Sequence, residues 1–198
     1  MIYNDKYILK TGHSLLAPIY EPPLVNHNHT FFEFSFIRRG HCTNVINNIR
    51  YPISRGICAL LRPSDYHFFD NLMPTNPKKY EHIDVYVFQD CFINCCNLID
   101  SRLYDDILKS EKPIVFNLSN ELLDSLDNKI DYLINNQQSE LSKSFHKIII
   151  FSLLGAYLEE KELINHNYPQ WLNDLLADLN TIDAISSNVT ILAEKYGY

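Results

Sequence analysis

The segment His27-Asn28-His29-Thr30-Phe31-Phe32-Glu33-Phe34-Ser35-Phe36-Ile37 constrains this chain more than any other. Two histidines two residues apart place both imidazoles on one face of an extended chain, and Glu33, four beyond His29, keeps the same parity. Three good metal-ligand side chains thus share one wall of a sheet. His67 follows a strand and a turn and is placed to close the set. Three imidazoles and one carboxylate suit a borderline divalent metal such as Zn, Fe, Mn, Ni or Cu, with positions left open for a ligand. The alternative is that these four residues hydrogen-bond across a barrel mouth and position a small effector with no metal required, because a barrel interior is the ordinary small-molecule site.

The surrounding pattern is that of short strands. Phe31 to Ile37 is aromatic and partly alternating, and Arg38-Arg39-Gly40 is expected to turn the chain, with both arginines solvated. Thr43 to Ile46 pairs with Ile49 to Ile53 across Asn47-Asn48, since asparagine tolerates the positive φ of a tight hairpin. Gly56 opens a strand over Ile57 to Leu61, which Pro63-Ser64-Asp65 ends. Glu81 to Phe88 alternates again. There Ile83, Val85 and Val87 share one face, and His82, Asp84 and Tyr86 the other. A solvated face is the preferred reading for the latter set, with a pocket role for His82 as the alternative. His41 reads as an ordinary strand residue. Turn signals every 8–12 residues or so predict a sandwich or small barrel.

Near residue 90 the period changes to that of helices. Leu122, Leu126, Ile130, Leu133 and Ile134 recur at helical spacing, with Ser119 as N-cap. A second helix is expected from about Leu141 to Leu163. Its middle, Ile148 to Leu154, is apolar nearly all round and must be covered on more than one side, which makes it a candidate dimer face. Pro169 starts a third helix with Trp171 as a packing anchor, and Val189, Leu192, Ala193 and Tyr196 form a short fourth. The expected fold is α+β: residues 1–90 form the barrel, with a further strand near 113–117, residues 91–180 form linker and dimerisation helices, and residues 181–198 open another domain.

Composition removes several function classes. A net charge of −7 over 198 residues, with no basic stretch, is poorly suited to holding a phosphate backbone. Five cysteines, an odd count, without a secretory leader argue against a disulfide framework and for a cytoplasmic protein. Cys91, Cys95 and Cys96 read as packed thiols rather than a metal cluster. No run of 18 apolar residues predicts a membrane span. No nucleophile with an adjacent base, P-loop or dinucleotide fingerprint occurs.

The spacing His-x-His, three residues, Glu33, six residues, Gly40 resembles the first cupin motif. The second motif is partly present in Gly56, Pro63, His67 and Asn71. It departs where Pro63-Ser64-Asp65-Tyr66-His67 is one residue shorter than the usual Pro-x-Gly-x-x-His and lacks the glycine. That variant resembles the sensor domains of the arabinose-regulator (AraC) family of bacterial transcription regulators, most of all the subgroup like the chitobiose-operon regulator. Pro169-Gln170-Trp171-Leu172 and the ending Leu192-Ala193-Glu194-Lys195-Tyr196-Gly197-Tyr198 resemble that family's linker and the opening of its first helix-turn-helix unit.

The resemblance implies a cupin (double-stranded β-helix, or jelly-roll) barrel followed by a helical region. It also implies a homodimer through the C-terminal helices and a truncation before the recognition helix, so that DNA is a partner only of a full-length form. The effector would be a small molecule, a sugar or sugar phosphate, met by His27, His29, Glu33 and His67. Arg62, Tyr66 and Phe68 flank the second motif, where aromatic faces with a few polar groups suit a sugar and core packing is the alternative; His82 is a further candidate. Two other function classes stay open. One is a metal-dependent cupin enzyme, dioxygenase or sugar isomerase, using His27, His29, Glu33 and His67. The other is a stand-alone interaction protein that sequesters full-length partners.

Overall fold

A computed structural model describes residues 9–10, 14–19, 24–70, 80–136 and 140–161. Asn71, the helices expected from Pro169 and Val189, and the helix-turn-helix opening lie outside the described residues. The chain divides into two compact units after Asn117. In the first, the strands are β1 (Leu9–Lys10), β2 (Ser14–Ile19), β3 (Phe32–Arg39), β4 (His41–Ile46), β5 (Ile49–Ser54), β6 (Ile57–Leu61), β7 (His67–Asp70), β8 (Glu81–Val87) and β9 (Ile114–Asn117). Helices α1 (Gln89–Ile99) and α2 (Leu103–Lys109) lie between the last two strands and belong to this unit.

The strands form two antiparallel sheets, ordered β1-β2-β8-β3-β6-β9 and β5-β4-β7. Their inner faces meet in a shared core. Ile37 of the larger sheet packs with Cys42, Ile53 and Phe69 of the smaller, and Ile46 packs with Ala59 and Leu61. This is the sandwich or small barrel that the strand rhythm predicts, in the jelly-roll form that the motif resemblance implies. The other face of β3 carries Phe32, Phe34 and Phe36, each at most 1% exposed. Phe32 stacks on Phe92 of α1 with ring centroids 3.8 Å apart. Burying a side chain of this size contributes roughly 1.5–3 kcal/mol, so β3 is held from both sides.

Two turns behave differently from one another. Asn47 (φ 49°) and Asn48 (φ 67°) adopt the left-handed conformation that a two-residue hairpin needs, and they join β4 to β5 as expected. The Arg38-Arg39 pair, by contrast, is not a solvated turn. The β3–β8 register shifts between Ile37 and Arg39, making Arg38 the extra residue of a β-bulge, and only Gly40 (φ 83°) turns the chain. Arg38 is buried and ion-paired with Glu81 at 3.1 Å, and the exposed Arg39 reaches the same carboxylate at 3.1 Å.

The second unit contains α3 (Asn120–Asn135) and α4 (Glu140–Glu160). Ser119 caps α3 by accepting a hydrogen bond from the backbone N–H of Leu122 at 3.1 Å. In α4, Ile148, Ile149, Ile150, Leu153 and Leu154 are at most 1% exposed. The stretch that the sequence offers as a dimer face is therefore already buried within one chain. A groove of about 670 Å³ separates parts of α3 and α4; Lys129 lines it, with its ammonium on the Ser125 hydroxyl. No helix among the described residues is long and apolar enough to cross a membrane.

Candidate functional site

The site forms at one end of the barrel, where the segment before β3 meets the start of β7. His27 and His67 form an isolated antiparallel bridge in which each backbone N–H donates to the other's carbonyl, at 3.0 and 2.9 Å. That pairing brings the two motif segments together, and the rings follow: the His27 and His67 centroids lie 4.3 Å apart. His29 Nε2 sits 2.9 Å from His67 Nε2 and 3.0 Å from Glu33 Oε2. One donor atom from each of His27, His29 and His67 falls within 4.8 Å of the others, and among the described residues this is the group able to hold a metal ion. Phe31 stacks on His29 at 4.7 Å and contacts Tyr86 at 5.0 Å, forming an aromatic lip.

The local electrostatics separate the three imidazoles. Burial, together with the neighbouring imidazoles of His27 and His29, pushes His67 well below the usual histidine range. His27 is also lowered, first by burial. Its Nδ1 lies 2.8 Å from the Val25 carbonyl, which can only accept, so Nδ1 carries the proton and the Nε2 lone pair points away. Burial opposes charge on His29, but the hydrogen bond and charge of Glu33 outweigh it and raise its pKa. Burial, followed by the charge of Asp84, raises Glu33 to about 7.

The donor set fits a divalent metal. Ligands at roughly 2.0–2.1 Å from a common ion lie about 3 Å from one another, and the His29–His67 and His29–Glu33 separations match that spacing. Glu33 also sits on the same His29 nitrogen that faces His67. A carboxylate that merely oriented a metal-bound ring would occupy the opposite nitrogen; the ligand atoms that all lie within 4.8 Å of one another are those of His27, His29 and His67, without Glu33.

The other expected site residues are spread over the unit. Arg62 is buried and committed to Asp65: Nε donates to Oδ2 and Nη2 to Oδ1, both at 2.9 Å. Its Nη1 donates to the carbonyls of Ile107 and Ser110. Burial alone would raise the Asp65 carboxyl, but hydrogen bonds from Arg62 and Asn47 hold it below the ordinary range. This short ionic turn stands where the motif's missing glycine would be, and it sets the backbone just before His67. Tyr66 is 53% exposed, and by strand alternation it points away from His67. It lines a separate surface hollow of about 370 Å³ with Asn26, Val45, Asn47, Asn48 and Phe68.

His82 corrects the sequence reading: it is fully buried rather than solvated. Its Nδ1 lies 2.8 Å from the Tyr80 hydroxyl, and its Nε2 3.2 Å from Asp84 Oδ2, which also accepts from the Tyr86 hydroxyl at 3.2 Å. Alternation on β8 was the available signal; what it could not show is that both faces of β8 are covered. The five cysteines are free thiols, of which Cys42, Cys58, Cys95 and Cys96 are buried.

No family model matches the sequence, and no curated protein matches it closely enough to count. Solved structures do match. An apo crystal structure of ToxT from Vibrio cholerae aligns with a TM-score of 0.56 at 12% identity, covering 93% of this chain and 70% of that one. The AraC-like transcriptional activator CuxR aligns at 0.47 with 12% identity, covering 94% and 67%. A cupin protein from Bacteroides fragilis aligns at 0.35 with 11% identity, covering 45% and 81%. At these identities the first likeness bears on the fold alone, and the other two fall too low to add to it.

Proposed function

We propose that this chain is the effector-sensing and dimerisation portion of an AraC-type transcription regulator, and that its barrel binds a small molecule, a sugar or sugar phosphate. The observation that carries this reading is the convergence of His27, His29 and His67 at the barrel end, with Glu33 held on His29. The sequence resemblance through Pro169–Leu172 and Leu192–Tyr198 supports the regulator assignment, and the jelly-roll fold is consistent with it. Effector binding would change how the barrel engages the helices that follow, and a full-length form would pass that change to its DNA-binding units. Where a divalent metal is present, His27, His29 and His67 would hold it with Glu33. The ion would supply a Lewis-acidic anchor for the effector.

The spacing of the three imidazoles favours a second reading, a metal-dependent enzyme of the dioxygenase or isomerase type. Elemental analysis of the purified chain, combined with turnover and binding assays on wild type and His29→Ala, separates the two. The sensor reading expects saturable effector binding that His29→Ala weakens at least tenfold, without turnover. Stoichiometric metal with turnover that vanishes in His29→Ala would sink it. Sedimentation at high concentration tests dimerisation; a strict monomer removes that part of the proposal.

A further inference from the structure

The second unit holds a buried cation whose charge is not matched. Lys129 of α3 is 5% exposed, and it lines the groove of about 670 Å³ between α3 and α4. Its ammonium donates to the Ser125 hydroxyl at 2.5 Å and, at 3.4 Å, to the Ser125 carbonyl. Both acceptors are uncharged. Burial pulls Lys129 below the ordinary lysine range, and among the described residues no neighbouring carboxylate offsets it. Lysines are almost never buried this far unless paired, because a buried charge is costly without an opposite one.

The groove carries the opposite charge at its other end. Tyr132 and Phe145 meet at 5.0 Å near the junction of the two helices, and Lys129 stands one turn before Tyr132. The exposed Glu121, in the first turn of α3, and Glu159, in the last turn of α4, line the same groove. Glu121 is eight positions before Lys129, which is about 12 Å along the helix axis. Between these ends Leu122 and Phe145 supply apolar wall, and Gly155 and Ala156 leave α4 with little side chain there. Ser125, Asn128 and Ser152 add groups that both donate and accept hydrogen bonds.

This polarity selects a ligand class. A lone anion answers Lys129 but meets the two glutamates, and a lone cation does the reverse. A molecule with a carboxylate at one end and an ammonium at the other satisfies both. An extended peptide rises about 3.3 Å per residue, so three or four residues with free termini span the distance. Their backbone amides match the serine and asparagine side chains between the ends. We propose that the α3–α4 groove binds a short linear peptide of three or four residues, its C-terminal carboxylate on Lys129 and its N-terminal ammonium between Glu121 and Glu159. The site lies wholly within the second unit and does not depend on the barrel reading.

Calorimetric titration of the full chain tests it. The probes are trialanine, tetraalanine and alanyl-leucyl-alanine, their N-acetylated and C-amidated forms, and octanoate as a carboxylate without an ammonium. At least one free peptide should bind saturably, with each of its blocked forms and octanoate at least tenfold weaker. Lys129→Met should weaken the free peptide at least tenfold and make it indifferent to C-amidation. The double variant Glu121→Gln with Glu159→Gln changes exposed positions only, so it keeps the fold, and it should remove the penalty for N-acetylation. Blocked peptides or octanoate that bind as tightly as the free peptides overturn the proposal. So does a double variant that keeps the full penalty for N-acetylation, or a panel in which no peptide binds saturably.

Discussion

The imidazole cluster at the barrel end and the Tyr80–His82–Asp84–Tyr86 ladder use similar residue types but are assembled by opposite rules. The cluster joins residues far apart in the chain, His29 and His67 being 38 positions apart, across a single two-bond bridge. The ladder takes alternate residues from one strand and its edge, so its geometry follows from the pleat. In the cluster, one donor atom from each of three histidines lies within 4.8 Å of the others, and His27 and His29 are partly exposed. In the ladder, the polar groups are taken up by one another and, at Asp84, by Ser35 of the neighbouring strand. An open set of lone pairs can take up something from outside, whereas a closed chain of hydrogen bonds mainly holds the sheet in place. The first is the part for which we propose function; most of the second holds the sheet.

The largest expected effect tests the rigid half. Asp84→Ala leaves the buried His82 and the half-buried Tyr86 without their acceptor and should cost about 3–5 kcal/mol in urea denaturation. His29→Ala at the open end should cost only on the order of 1 kcal/mol. Equal losses would erase the distinction. Asn47→Ala comes next. It removes a side chain that donates to Asp65 at 2.7 Å and accepts from the Tyr66 N–H at 2.9 Å, and it places alanine at positive φ. A loss of about 1–2 kcal/mol is expected, together with weakened effector binding, because His67 is aimed by this turn. Unchanged binding would show that the turn and the cluster are independent.

The pH dependence should separate the halves as well. The native state holds the Glu33 proton up to about pH 7, whereas the unfolded chain releases it near 4.5. Its contribution to stability is therefore fully present below the lower value and is lost as pH climbs toward the higher one. Glu33→Gln carries no such proton, so its melting temperature relative to wild type should rise across that window. A constant difference would show that Glu33 is not held protonated. The smallest effect is a control in the second unit: Ser119→Ala removes the cap of α3 and should cost about 1 kcal/mol, with effector binding unaltered.

The contrast also explains what the sequence could show. The first motif was legible because His27, His29 and Glu33 act through local spacing, and the Asn47-Asn48 hairpin because its conformation is set by two residues. The Arg38 bulge was not legible, since an extra residue in a strand leaves no mark until the register with Glu81 and His82 is known. Alternation in His82, Asp84 and Tyr86 was visible, but a polar face reads as solvated unless the opposing sheet is known to cover it. Lys129 carried no signal: a lysine between Asn128 and Ile130 looks like any solvated helix residue, and only the neighbouring helix makes its burial apparent. For the same reason Arg62 looked available for a ligand, while its actual partners include carbonyls from α2 and the turn after it.

The Asn47-Asn48 turn also bears on the order in which the molecule assembles. The hairpin it closes pairs Ile46 with Ile49, a contact that a chain can search on the microsecond scale. The β3–β8 pairing must instead join Phe32 to Val87 and waits on the closure of a long loop. Because the same asparagine grips Asp65 and Tyr66, the early hairpin carries a docking point for the segment that delivers His67. The barrel end is then templated by a local event, and the clustered histidines inherit their positions from the first piece of the sheet to form rather than from the last.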